Sequence, residues 1–225
     1  MDLERNEIKM DTEKKENLKE VIEWIICIVI AVVLALLVRH YVFTPTLVKQ
    51  VSMKTTLLEG DRLILDRLSI TLKKEIKRGE IITFEAPSNA KTDVLLAEID
   101  KDNPVAIYDN EPTNIFSKFM YYVLEFGSKE SYIKRVIGVA GDHVLIEDGK
   151  VYVNGEELEE EYLRDGIKTE TTVYNDIIVP EGYVFAMGDN RPDSKDCRAF
   201  GCVPIDKIES KVLIRFWPFN KFGKV

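Results

Sequence analysis

Between Val21 and Val38 the chain runs VIEWIICIVIAVVLALLV, 18 residues with a single charge at Glu23. As a helix rising about 1.5 Å per residue, this run nearly crosses a hydrocarbon layer of about 30 Å. It has no polar face to turn toward water, so it does not read as the core-packing helix of a soluble protein. No small-x-small cleavage site follows it; the run ends in Val38-Arg39-His40-Tyr41, which reads as an uncleaved anchor rather than a removed leader. Trp24 and Tyr41 suit the two membrane interfaces. Residues 1–20 are charged and lack aromatics, and read as a solvated, poorly ordered tail. The alternative there is an acidic amphipathic helix running into the anchor. Arg5, Lys9, Lys14, Lys15 and Lys19 precede the apolar run and only Arg39 closely follows it, so the tail is expected inside and the bulk of the chain outside.

Beyond the anchor the period changes from helical to alternating. Leu63–Leu65 and Ile81–Phe84 are short strand-like runs, the second entered through Lys77-Arg78-Gly79-Glu80 and closed by Pro87. Ser88–Asp93 reads as a loop. Thr113 is placed to cap a helix over Asn114–Phe126, whose Ile115, Phe116, Phe119, Met120, Tyr122, Val123 and Phe126 make a broad apolar face. That face suits either packing on the domain's own core or dipping into a nearby membrane surface. Ser131–Val139 reads as a strand apolar on both faces. Val144–Glu147 and Lys150–Val153, joined by Asp148-Gly149 and followed by Asn154-Gly155, predict a hairpin, because both dipeptides suit turns that need positive φ. Further strand-like runs fall at Thr171–Tyr174, Ile177–Val179, Tyr183–Met187 and Val212–Trp217. The expected fold is mostly β: a transmembrane helix followed by a β-rich domain.

Composition narrows the functional classes. The net charge is −8, from 39 acidic and 31 basic residues, and no basic stripe with interleaved aromatics is present, which argues against nucleic acid as a partner. Three cysteines are too few for a disulfide framework. The two histidines, His40 and His143, lie far apart, and no His/Cys spacing suggests a metal site. A Ser-His-Asp triad would therefore need one of those two as its base.

Three stretches hold candidate chemistry. Ser52 lies in Val48–Leu57, ahead of a Gly60-Asp61 turn; by itself it suits the N-cap of a short helical turn as well as a nucleophile. Lys134 and Arg135 are neighbours on the strand and so cannot share a face. One of them is pressed toward whatever the sheet covers. A lysine there loses the solvation of its charged form, and its pKa falls from about 10.4 toward neutrality, as a general base requires. The alternative is a lysine snorkelling at a strand edge. Gly188–Gly201 packs Asp189, Asn190, Arg191, Ser194, Asp196 and Arg198 into a polar loop, which suits either a solvated turn or a scaffold of hydrogen bonds with an Asp196–Arg198 ion pair at its centre. Cys197 and Cys202 flank Arg198 and Gly201, and read as packed free thiols or as a bridge.

Taken in order, these stretches resemble the bacterial type I signal peptidases, in their short form with one N-terminal anchor. Val48–Leu57 resembles the nucleophile box of that family, Tyr132–Asp142 (YIKRVIGVAGD) its lysine box, Val151–Leu163 its Asn-Gly-x-x-Leu-x-Glu-x-Tyr-Leu segment, and Gly188–Val203 (GDNRPDSKDCRAFGCV) its last box. Arg78–Phe84 with Pro87, and Trp217-Pro218 with Phe222-Gly223, complete a match of about 200 residues. The resemblance implies Ser52 as nucleophile, Lys134 as general base, Ser194 as the group orienting the lysine, and Asp196 with Arg198 as a brace. It also implies an oxyanion hole and substrate groove at Gln50, Ser52 and Met53. It implies as well an antiparallel β fold, signal peptides of exported preproteins and the lipid bilayer as partners, no cofactor and no metal. A preference for small side chains at the first and third positions before the cut is part of the same expectation. The organisation is then a cytoplasmic tail over 1–20, an anchor over 21–42 and an extracytoplasmic peptidase domain over 43–225, with 88–130 as an inserted segment.

The chain departs from the pattern at four positions. Gln50 stands where the family usually has Gly or Ser, Thr55 where it has Pro, Ala140 where Pro is common, and Cys197 where it has Ser. Gln50 and Thr55 motivate a second reading, a catalytically weak or inactive relative that binds signal peptides or regulates an active peptidase. A soluble self-cleaving repressor-type Ser-Lys protease is a third, opposed by the anchor.

Overall fold

The computed structural model describes residues 2–91, 103–109, 114–122 and 130–225. The chain divides into two compact units, one ending at His40 and the other spanning Tyr41–Val225.

The first unit is a single helix, α1, which covers Asp2–Tyr41 across the boundary. No glycine or proline occurs before Pro45, so nothing interrupts it. Its stretch Asn17–Tyr41 is 25 residues long with a mean hydropathy of 3.1 in its most apolar window, and is long and apolar enough to cross a membrane. Trp24, Ile28 and Leu34 are exposed along it, as lipid-facing side chains would be. The expectation of a poorly ordered tail over 2–20 is overturned, and the helix running into the anchor is what forms. Glu, Lys and Leu are good helix formers, and extending a helix already nucleated by the apolar run is cheap.

The second unit is mostly antiparallel β. In chain order come β1 (Phe43–Leu47), β2 (Arg62–Asp66), α2 (Leu68–Thr71), β3 (Ile81–Glu85), α3 (Ser88–Lys91), α4 (Ile115–Tyr122) and β4 (Ser131–Val139). There follow β5 (His143–Glu147), β6 (Lys150–Val153), β7 (Glu156–Glu157), β8 (Asp176–Ile178), β9 (Tyr183–Met187), α5 (Cys197–Phe200), β10 (Val203–Pro204) and β11 (Ile208–Trp217). A seven-stranded sheet has the order β1-β2-β11-β3-β4-β9-β10, and a four-stranded sheet the order β7-β6-β5-β8.

The β5–β6 hairpin forms as expected, with Asp148 and Gly149 at φ 52° and 82°. At Gly138 in β4 a Cβ would meet Val144 Cγ2 at 2.7 Å, so glycine is what lets β5 fold back onto β4. One large core gathers Phe84, Val136, Ile137, Ile146, Phe185 and Phe200 with their neighbours. A smaller one joins Val48, Met53, Leu57, Leu63, Leu65 and Ile81. The second core matters for function, because three of its members come from the segment that carries Ser52.

Other expectations change. Thr171–Tyr174 is not a strand; the Val173 and Tyr174 N–H groups donate to the Arg198 carbonyl at 3.1 and 2.9 Å, so the segment ties down α5 instead of joining a sheet. Ser88–Lys91 is a helical turn, and the rest of the expected 88–93 loop lies outside the described residues. Helix α4 is capped by Asn114, whose Oδ1 accepts from Ser117 N at 2.6 Å; Thr113, Val123 and Phe126 lie outside the described residues. Ile115 and Phe116 are exposed rather than packed on a core, while Tyr121 donates to Glu85 Oε1 at 2.7 Å. Cys197 and Cys202 are buried free thiols. Burial pushes the Cys202 thiol up to about 12.

Candidate active site

Ser52 sits on a closed loop between β1 and β2. The loop is pinned at its base, where Val48 N donates to Asp61 O and Gly60 N to Val48 O, both at 2.9 Å. Asp61 Oδ2 accepts from Leu58 N and from Arg215 Nη1, each at 3.0 Å, and the same guanidinium nitrogen donates to Thr56 O at 3.0 Å. Val48, Met53 and Leu57 are buried beneath the loop. Burial of such side chains contributes about 1.5–3 kcal/mol each, which offsets the entropy of ordering the loop. Ser52 is therefore held by the sheet through its neighbours' side chains.

Lys134 reaches the same point from β4, where it is paired with Ile82 of β3. Its Nζ lies 2.7 Å from Ser52 Oγ and 3.2 Å from the Ile133 carbonyl, and stands 4.9 Å from the centre of the Tyr132 ring. Lys134 is 1% exposed and Ser52 7%. Burial lowers the ammonium from its ordinary 10.5 to about 8; Asp196 pulls it back up in part, and Arg198 pushes it further down.

Both basic residues of β4 turn out to be buried, each on its own face. Arg135 Nε and Nη2 grip the two oxygens of Asp189 at 3.0 and 2.7 Å, and Nη1 donates to Gly79 O at 2.9 Å. Its guanidinium lies 4.1 Å over the Tyr162 ring. Thr56 Oγ1 also donates to Asp189. Asn190 N donates to Ser52 O at 2.9 Å, and Asn190 Nδ2 to Val51 O at 3.1 Å. Asp189 and Asn190 thus clamp the Ser52 loop to the loop that follows β9. Arg191, fully buried, pairs with both oxygens of Glu160 and donates to Gly188 O at 3.1 Å.

The expected brace is present. Asp196 accepts from Arg198 Nε at 2.8 Å, from Nη2 at 2.9 Å and from Gly188 N at 3.0 Å, and it caps α5 through Arg198 N at 3.2 Å. Burial alone would raise the Asp196 carboxyl; the Arg198 guanidinium and the Gly188 N–H outweigh it and hold the carboxyl below its usual range. Arg198 Nη2 also donates to Arg191 O at 2.8 Å.

Ser194, expected to orient the lysine, makes no hydrogen bond to it. Lys134 Nζ is bonded to Ser52 Oγ and Ile133 O rather than to Ser194. Among the described residues Ser194 Oγ makes no hydrogen bond, though it is near enough to Asp196 to favour the ionised carboxylate. It packs on Gly188, where a Cβ would meet Ser194 Oγ at 2.2 Å and Ser52 O at 2.4 Å. Glycine at 188 is thus what lets the two serines approach the same backbone.

A cleft of about 660 Å³ opens at Ser52, lined among others by Leu47, Gln50, Met53, Leu65 and Ile133. Gln50 Nε2 points to Glu130 Oε1 at 3.4 Å. His143 lies in the four-stranded sheet, exposed and paired with Asp176 at 2.6 Å. Among the described residues no group of His, Cys, Asp and Glu is assembled to hold a metal. A buried serine hydroxyl against a buried lysine of lowered basicity, at a cleft, can take a peptide, lose a proton from oxygen to nitrogen and attack a carbonyl.

Comparison with known proteins gives the same direction. Residues 21–217 match the family described as signal peptidase, peptidase S26. The chain is 31% identical over 219 residues to signal peptidase IB of Staphylococcus aureus strain COL, covering 91% of this chain and 93% of that protein. It is 32% identical over 224 residues to signal peptidase I of Bacillus licheniformis, covering 96% and 99%. A crystal structure of a signal peptidase I from Enterococcus faecalis V583 aligns with 25% identity over 62% of this chain and 97% of that one, with a TM-score of 0.37. With nearly its whole length matched from the anchor to β11, the chain belongs to the signal peptidase family, peptidase S26.

Proposed function

We propose that this protein is a membrane-anchored endopeptidase that removes signal peptides from exported preproteins, with Ser52 as nucleophile and Lys134 as general base. The observation that carries this reading is the 2.7 Å contact between Ser52 Oγ and a Lys134 Nζ whose pKa lies near 8. The neutral amine accepts the Ser52 proton as Oγ attacks the scissile carbonyl. The resulting ammonium then protonates the departing amine, and water, deprotonated by the same nitrogen, releases the acyl group. The Ser52 backbone N–H is the proposed donor to the oxyanion. The Gln50 amide is the proposed second donor, on turning from Glu130. Asp189, Asn190, Asp196 and Arg198 act through others: they hold the Ser52 loop and the end of β9 in register with β4. Ser194 is assigned a supporting place against Gly188.

The excess of basic residues ahead of the apolar run supports a cytoplasmic N-terminus and an extracytoplasmic domain. The departures at Gln50 and Thr55 leave Ser52 and Lys134 in contact, which favours an active enzyme over a binding relative.

The test is cleavage of a labelled preprotein by the purified, detergent-solubilised chain, beside Ser52→Ala and Lys134→Ala. Each variant is expected to fold and to lose nearly all cleavage, and the double variant to lose no more than either single one. Normal cleavage by Ser52→Ala would refute the assignment.

A further inference from the structure

Thr55, three residues after Ser52, has φ of 103°. For a β-branched residue this is an outlier, and such backbone persists only where the surroundings over-determine it. At Thr55 they do so visibly. Thr55 Oγ1 donates to the Tyr162 carbonyl at 2.9 Å. The next residue, Thr56, sends its hydroxyl to Asp189 instead. Two adjacent hydroxyls thus engage two separate segments, which the left-handed turn between them permits. The same turn is closed by Thr56 N and Leu57 N donating to Met53 O, at 3.1 and 2.8 Å. The Tyr162 ring lies under the Arg135 guanidinium, next along β4 to Lys134.

We propose that Thr55 is a positioning residue: its bond to Tyr162 O holds the strained turn that sets Ser52 Oγ against Lys134. The loop is then fixed at three points on two segments, by Ser52 O on Asn190 and Thr56 on the adjacent Asp189, and by Thr55 on Tyr162. Releasing the middle point lets the turn relax to negative φ and carries Ser52 out of line. A displacement of about 1 Å at a reacting atom costs on the order of 100-fold in rate. Proline, usual at this position in the family this chain resembles, cannot take φ of 103° because its ring holds φ near about −65°. In this chain it is therefore the wrong residue.

The inference rests on the Ser52–Lys134 reading, so its test carries Ser52→Ala as a control. If that control cleaves normally, the reading itself fails; if it is dead, the Thr55 variants decide this proposal alone. Thr55→Val, Thr55→Ser, Thr55→Gly and Thr55→Pro are measured for kcat, KM, melting temperature and pH profile. Valine and proline are expected to lower kcat at least tenfold with little change in KM, and serine, which keeps the hydroxyl, to restore it to within about threefold. Glycine accepts positive φ without strain, so it is expected to melt no lower than the parent while still losing kcat at least tenfold. The rising limb of the pH profile is expected to stay where it is in all four. Full kcat in Thr55→Gly or Thr55→Pro, no rescue by serine, or a displaced limb would each overturn the proposal.

Discussion

Replacing Lys134 by methionine is expected to make the protein more stable while abolishing its activity. The folded ammonium is lowered from 10.5 to about 8 by burial. At about 1.4 kcal/mol per pH unit, that corresponds to a burial penalty of about 3 kcal/mol. The sign follows from proton binding. The folded pKa lies below the unfolded one, so between about 8 and 10.5 the folded protein binds fewer protons than the unfolded chain. Stability of the parent therefore rises with pH across that window, and below its lower edge the penalty is present in full. Methionine has nearly the same reach and no charge to desolvate. It forfeits the contact with Ser52 Oγ, at about 1 kcal/mol, and leaves that hydroxyl to find another partner. The net gain at pH 7 is about 1–2 kcal/mol, or a melting temperature higher by about 3–6 °C for a domain of this size. Above the window both lysine forms are neutral and the gain disappears. Thermal unfolding of the detergent-solubilised parent and Lys134→Met at pH 7 and pH 11 measures both points. A variant less stable than the parent at pH 7, or a difference independent of pH, would refute a buried lysine of lowered pKa.

Gly188→Ala drives a methyl group into Ser194 Oγ and Ser52 O, at 2.2 and 2.4 Å, and is expected to cost at least 100-fold in preprotein cleavage, read beside its melting curve to confirm that the fold persists. Asp196→Asn leaves the buried Arg198 guanidinium without its counter-charge and should destabilise by about 3–5 kcal/mol in thermal or denaturant unfolding. Because the Asp196 carboxyl is held below its usual range, its contribution is complete above about pH 4 and is lost as the pH falls through the folded value, so the variant and parent should converge on acidification.

How much of this was legible in the sequence depends on how local each cause is. The apolar run at Val21–Val38 carries its own hydropathy, and the Asp148-Gly149 turn its own φ requirement, and both elements formed as read. Lys134 was legible because an alternating strand must bury one of two adjacent bases. What that argument missed is that the opposite face is also covered, so that Arg135 needed a partner too. The signal was available in the strand's unbroken apolar pattern on both sides, but naming Asp189 requires knowing that β9 pairs with β4, which is long-range information. The same limit hid Glu160 under Arg191 and Tyr162 beside Thr55. Thr171–Tyr174 has the β-branched composition of a strand, yet its N–H groups are taken by the Arg198 carbonyl, a tertiary partner that no local pattern shows. Ser194 was assigned by resemblance, and its hydroxyl packs beside Gly188 without a hydrogen bond to the lysine nitrogen.

The pH dependence of cleavage tests the central claim, that Lys134 acts as the base toward Ser52. With a lysine base, kcat/KM for a preprotein substrate rises with pH through a limb near about 8 and activity persists into the alkaline range, unchanged in His40→Ala and His143→Ala. A limb near about 6.5 that either histidine substitution abolishes would contradict it.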